Sequence, residues 1–167
     1  MKAKTLISLL LLSLTVSAQH YLGEKFGGGF IFYIDQSGEH GLIAAPIDHA
    51  EVYKWGCVRN IIYADKLSDG IYNTKKISDN CSKPNAAIAC IEYNEGGFND
   101  WYLPAIDELN LLYKNRIYIP SLTTADYCSS TEATDGNDCW AIHFQNDGQN
   151  FHYNKGSYFH IRAIRKF

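Results

Sequence analysis

The rhythm of apolar and polar positions changes along this chain, and each change marks a different kind of segment. Met1, Lys2, Ala3 and Lys4 form a short positive start, and residues 5–16 are mostly apolar but too few to span a bilayer comfortably. Val16, Ser17 and Ala18 then place small side chains where a signal peptidase reads, so residues 1–18 are expected to be a signal peptide and the mature chain to begin at Gln19. No cysteine stands near that junction, which argues against a lipid anchor. Beyond it, Phe30, Ile31, Phe32, Tyr33 and Ile34 have the β-branched and aromatic composition of a strand. The polar stretch 35–41 ends it, and Leu42, Ile43, Ala44 and Ala45 complete a hairpin.

Residues 46–84 lose periodicity and read as loop with short elements, the part of an extracellular domain that varies most. Pro84 can begin a helix reaching about residue 93, with Ala86, Ala87 and Cys90 on its buried face. Phe98, Trp101 and Leu103 then need burial, and Pro104 suits the first turn of a helix. Ile106, Leu109, Leu112 and Tyr113 recur at intervals of three and four, with Asp107 and Glu108 near the positive end of the helix dipole. After Pro120 the pattern is β: residues 127–131, 139–144, 151–153 and 159–164 read as strands, with Asp147-Gly148 as a two-residue hairpin turn. A hairpin, a long loop, two helices and an antiparallel meander make an α+β fold.

Composition sharpens this picture. The 167 residues less an 18-residue signal leave 149, enough for one domain with a substantial core. Removing Lys2 and Lys4 from the 15 basic side chains leaves 13 against 18 acidic ones, a net charge near −5. Nucleic acid is therefore not expected as a partner, and the basic ending Arg162, Arg165, Lys166 reads as a solvated or internally paired strand. No later segment approaches membrane-spanning length, so the protein is expected in the periplasm, at the cell surface or secreted.

All five cysteines fall in the mature part, where disulfides persist and an odd count leaves a thiol over. Cys128 and Cys139 flank a polar loop and are expected to bridge a hairpin. Cys90, in an alanine-rich helix, reads as a buried thiol, which favours Cys57 with Cys81, although a local Cys81–Cys90 bridge stays open. A zinc site built from the cysteines is not indicated, because no C-x-x-C pair exists.

Candidate chemistry is sparse. Gly27, Gly28 and Gly29 precede a strand with no Gly-Lys-Ser/Thr after them, so they read as strand entry and not as a phosphate loop. Residues 134–138 offer calcium the oxygen ligands it prefers, through Asp135, Asn137 and Asp138, but also read as a plain polar turn. If Asp147-Gly148 is a two-residue turn, His143 faces His152, and a turn at 155–157 brings His160 beside them. Such a row could hold zinc, yet it would equally line an exposed sheet face, and no metal site is assigned. Ser129, Ser130 and His143 lack a G-x-S-x-G elbow, and no catalytic site is assigned either. Trp55, Trp101 and Trp140 with twelve tyrosines exceed what the core obviously requires. Exposed aromatics stack on sugar faces, and Trp55, in the variable loop, is the expected ligand contact.

The ordered set GGGFIFYID, GEHGLIAA, GFNDWYLPAIDELNLLY, YCSSTE, CWAIHF and IRAIRKF resembles the C-terminal domain family of the Legionella collagen-like adhesin over nearly the whole mature chain. That family is similar in fold to C-type lectins and formylglycine-generating enzymes. The resemblance implies a C-type-lectin-like single domain over residues 19–167 with two helices, termini near each other, and irregular loops that carry ligand binding in lectins. Asn99-Asp100-Trp101 is similar to the sugar-binding Trp-Asn-Asp of lectins only in altered order, so Asp100 reads as a structural loop bond. The adhesin's domain binds sulfated glycans, but this chain lacks collagen-like repeats and is acidic, so that specificity is not carried over. The expected function is an exported, non-catalytic module binding glycan or another surface ligand. The alternative is a structural or protein-interaction subunit of an envelope or adhesive assembly; less favoured is a degenerate enzyme of the formylglycine-generating type, using copper and reactive thiols.

Overall fold

The alternation of Phe30 to Ile34 feeds two cores at once. In the computed structural model, which describes residues 19–145 and 147–167, Ile31 packs into one buried cluster and Phe32 into another. The expected signal peptide lies outside the described residues. In chain order the strands are β1 (Lys25–Phe26), β2 (Gly29–Ile34), β3 (Gly41–Ala44), β4 (Tyr53–Lys54), β5 (Asp126–Glu132), β6 (Asp138–His143), β7 (Asn150–Asn154), β8 (Tyr158–Phe159) and β9 (Ile164–Lys166). The helices α1 (Gly70–Asn80), α2 (Ala86–Ile91) and α3 (Ile106–Lys114) lie between β4 and β5. The strands pair antiparallel as β1-β2-β3-β9, β4-β8 and β5-β6-β7, an α+β domain.

The triple glycine serves this packing. Gly27 and Gly28 have φ of 54° and 84°, and a Cβ on Gly29 would lie 2.0 Å from the Ala44 carbonyl oxygen, so the β2–β3 approach excludes a side chain. The two ends of the described chain meet, with the His20 and Phe167 rings 5.0 Å apart.

Three α-helices stand where two were expected, because α1 occupies part of the stretch read as loop. Asp69 caps it, accepting the Tyr72 N–H at 3.0 Å. Its buried face is Asn73, Thr74 and Ile77, mostly polar, so no apolar stripe announces it. Thr74 Oγ1 donates to the Leu103 carbonyl and accepts the Leu103 N–H, both at 3.1 Å, docking α1 on the segment before α3. Helix α2 is shorter than expected and is capped by Asn85, which accepts the Ile88 N–H at 3.0 Å.

The joint at Leu103-Pro104 is the centre of the fold. Tyr102 exchanges backbone hydrogen bonds with Ile164 of β9 at 2.9 and 3.0 Å, and Trp101 and Leu103 are buried. Glu108 Oε2 accepts the N–H of Ala105 at 2.8 Å and of Gly70 at 3.1 Å, while Oε1 accepts the Tyr102 hydroxyl at 3.0 Å. One carboxylate thus holds the starts of α1 and α3 together. Asp100 takes both oxygens to Arg165, at 2.7 and 2.8 Å, which holds its carboxyl below its ordinary value. Both observations fit the structural reading of Asp100 and account for one member of the basic ending; Arg162 is buried against Asp48.

Candidate ligand-binding site

Residues 55–69 leave β4 and return to α1 with no strand pairing, yet their course is fixed from beneath. Glu132, buried at the end of β5, accepts the Ile62 N–H at 3.0 and 3.1 Å and the Ala64 N–H at 3.2 Å, and its own N–H donates to the Ala64 carbonyl at 2.7 Å. Lys155, buried after β7, pairs with Glu132 and donates at 2.9 Å to the carbonyls of Asn60 and of Gly136. A buried ion pair is tolerated only when such additional hydrogen bonds satisfy both ions. The Cys57–Cys81 disulfide ties the start of the loop to the end of α1. Cys57, Arg59 and Tyr63 sit at φ of 50°, 66° and 59°, strain that persists only where the surroundings over-determine the backbone. Outward this anchored loop presents Val58, Ile61, Tyr63 and Leu67 together with the polar and charged Arg59, Asn60, Asp65 and Lys66.

Beside the loop lies a cleft of about 510 Å³ between β4, β8 and α2. The two features adjoin: a Cβ on Gly56 would lie 3.1 Å from Cys81 Cβ and 3.3 Å from Asn85 Cβ, and Asn85 lines the cleft. Tyr53 and Tyr158 give aromatic walls, Pro84, Ile88 and Ala89 apolar ones, and Glu51, Lys54 and Glu92 charge. The Lys54 ammonium lies 5.1 Å from the Tyr158 ring centroid, and Glu92 pairs with Lys83 at 2.9 Å. Glu51 makes no hydrogen bond or ion pair among the described residues. The Tyr53 phenol is pushed above its ordinary value, first by burial and then by Glu51, the Cys90 sulfur and Glu92. A volume of this size, with aromatic and polar walls, suits a small ligand.

The structure relocates most of the expected site residues. Trp55 is not a ligand contact: it is fully buried, its Nε1–H donates to the Ser129 carbonyl at 3.0 Å, and Lys155 lies 4.7 Å over its ring. Asp135 spends one carboxylate oxygen on the N–H groups of Asn137 and Asp138, at 3.0 Å each, closing the turn between β5 and β6. That turn abuts the anchored loop, where a Cβ on Gly136 would lie 2.5 Å from Ile61, but it does not line the cleft. Among the described residues no group of three or more His, Cys, Asp or Glu side chains is placed to hold a metal ion.

Two geometric expectations need correction. Cys57–Cys81 is bonded, but Cys128 and Cys139 are not: Cys128 faces Ala141 and Cys139 faces Glu132 across an irregular register, so neither sulfur meets the other. With Cys90 they are buried thiols of one core cluster, and burial pushes the thiols of all three up, away from reactivity. The histidine row does not form, because Asp147-Gly148 is not a two-residue turn. Ile142 faces Asn150 and the His143 N–H donates to Gln149, so His152 faces Trp140 while the His143 ring stacks on Phe151 at 3.7 Å. His143 Nδ1 bonds Asp126 at 2.6 Å and Ser129 Oγ donates to the Trp140 carbonyl at 2.8 Å, so the two do not couple.

Sequence reasoning missed the Glu132–Lys155 pair and the cleft. Glu132 lies just past the strand read over residues 127–131 and Lys155 in the turn read at 155–157, and no periodic signal joins them. The Lcl C-terminal domain family matches residues 55–165, about two thirds of the 167 residues. No protein of curated function matches the chain.

Proposed function

The chain belongs to the Lcl C-terminal domain family, and on that premise we propose that it is an exported, non-catalytic binding module whose cleft, with the anchored loop beside it, takes a glycan or another cell-surface ligand. The observation that carries the reading is the Glu51 carboxylate, without a hydrogen-bond or ion-pair partner among the described residues, in a cleft walled by Tyr53 and Tyr158. Free polar groups beside aromatic walls are what a hydroxylated ring needs, and a fixed backbone lowers the ordering cost of binding it. The C-type-lectin comparison supports the same placement, since irregular loops carry ligand there. The buried thiols support a module without redox chemistry.

A glycan array probed with and without calcium tests the reading. Binding by the native chain, lost in Tyr158→Ala, is expected; a chain that binds no glycan in either condition refutes the glycan reading. The calcium arm separates carboxylates that bond hydroxyls directly from carboxylates that act through an ion. The second reading, a protein-interaction subunit, is favoured by the exposed Ile61 and Leu67. It predicts that crosslinking captures a partner through this loop, and that Ile61→Ser abolishes the capture.

A further inference from the structure

Arg162 and Arg165 are paired inside the fold, but the third member of the basic ending is not. Lys166, exposed on β9, makes no hydrogen bond or ion pair among the described residues, and it lines a second cleft of about 410 Å³. One wall of that cleft is the sheet, with Tyr33, Leu42, Lys166 and Phe167; the other is α3, with Asp107, Glu108 and Leu111. Lys166 stands opposite Leu42 in the β3–β9 ladder, and its charge reaches Glu108, where it opposes the burial that raises that carboxyl.

Glu108 already accepts two backbone N–H groups and a hydroxyl, so the free carboxylate on the helix wall is Asp107. The Asp107 N–H donates to the Leu67 carbonyl at 2.9 Å, which fixes its place, while its exposed side chain makes no hydrogen bond or ion pair among the described residues. At the rim Asp35 gives Oδ1 to the Ser37 N–H at 2.9 Å and to the Ser37 hydroxyl, and the side chains of His40 and Ser68 make no hydrogen bond among the described residues. We propose that this cleft binds a zwitterion with an apolar side chain, an amino acid or a dipeptide. Two opposite charges on facing walls, neutralised neither by the protein nor by each other, match a ligand that brings a carboxylate to Lys166 and an ammonium to Asp107 in charge-assisted hydrogen bonds. The apolar side chain covers Leu42, Leu111 and the Tyr33 and Phe167 rings, and about 410 Å³ holds one aromatic residue with room for a small neighbour. A ligand with only one of the charges leaves the other bond unmade. The site is separate from the cleft of β4, β8 and α2, with which it shares no lining residue.

An amide-detected NMR titration of residues 19–167 both locates and measures the binding. Phenylalanine probes a short span between the charges and alanyl-phenylalanine a longer one, while phenethylamine lacks the carboxylate and hydrocinnamate lacks the ammonium. Expected are shifts at Leu42, Asp107, Leu111 and Lys166, a Kd of about a millimolar or tighter for one of the zwitterions, and at least about tenfold weaker binding of each single-charge analogue. Lys166→Met should weaken the zwitterion roughly tenfold and leave phenethylamine unchanged; Asp107→Asn should weaken it equally and leave hydrocinnamate unchanged. Both substitutions alter exposed side chains, and unchanged signals from distant residues verify that the fold is kept. Shifts confined to other residues overturn the assignment to this cleft. Analogues that bind as tightly as the zwitterions, or zwitterion binding that neither substitution weakens, overturn the ligand class. No shift from either zwitterion at about ten millimolar overturns the site itself.

Discussion

Glu108 and Glu132 are the two buried glutamates among the described residues, and each gathers backbone N–H groups from a segment far away in the chain. They are balanced differently. Glu108 bonds the first residue of α1 and the cap of α3, where two helix dipoles present their positive ends, and no cation among the described residues pairs with it. Burial therefore raises its carboxyl above the ordinary value of 4.5, the hydrogen bonds and the more distant Lys166 opposing. Glu132 bonds Ile62 and Ala64 in an irregular loop that offers no dipole, and it is met instead by Lys155. Regular structure can hold a buried carboxylate with aligned peptides, whereas an irregular loop needs an opposite charge. The second arrangement places an anchored loop, with both apolar and charged side chains outward, next to the cleft.

The largest break in the comparison comes from Lys155→Met. It strands the Glu132 charge in the interior and should cost about 3 to 5 kcal/mol in urea unfolding, with altered Trp55 fluorescence because the ammonium leaves its ring. Adding Glu132→Gln should recover most of that loss, since a neutral amide still accepts the Ile62 and Ala64 N–H groups. A loss under about 1 kcal/mol in the single variant would mean the loop is held by something else. Replacing Cys57 and Cys81 by serine comes next. The closed ring has a sequence separation of 24, and its loss should cost about 3 kcal/mol. Limited proteolysis should then cut first at residues 57–66, and cutting elsewhere would show that the buried pair fixes the loop without the bridge.

These two regions also divide what could be read in advance. The joint at Leu103-Pro104 was legible because Ile106, Leu109 and Leu112 recur at helical spacing and Asp107 and Glu108 sit in the first turn. Helix α1 was not, because Asn73 and Thr74 dock it by hydrogen bonds and leave only Ile77 as an apolar mark. The β6–β7 register differs from the expected one because the connection from His143 to Asn150 is longer than two residues; Gly148 within it, at φ of 73°, also lies against the Tyr113 ring, where a Cβ would come at 2.0 Å. Trp55 looked like a surface aromatic because it falls in the stretch read as variable loop, yet the lysine that covers it stands a hundred positions away in sequence. The cleft draws on residues near 51, 85 and 158, and no local pattern brings those together.

The smallest effect is the most discriminating. Glu108→Gln preserves shape: its carbonyl accepts from Gly70 and Ala105, and its amide donates to the Tyr102 hydroxyl, so stability near neutral pH should move by less than about 1 kcal/mol. The pH profile should change more. Because the folded-state carboxyl of Glu108 binds its proton more tightly than that of the unfolded chain, its contribution to stability is fully present below 4.5 and is lost as pH rises through the raised folded value. Urea midpoints measured from pH 4.5 upward should therefore carry a downward component that Glu108→Gln removes. Glu132→Gln tested alone should instead lower stability at neutral pH, by leaving Lys155 as the unpaired ion. If the two variants gave the same profile, the distinction between a carboxylate held by helix ends and one held by a lysine would fail.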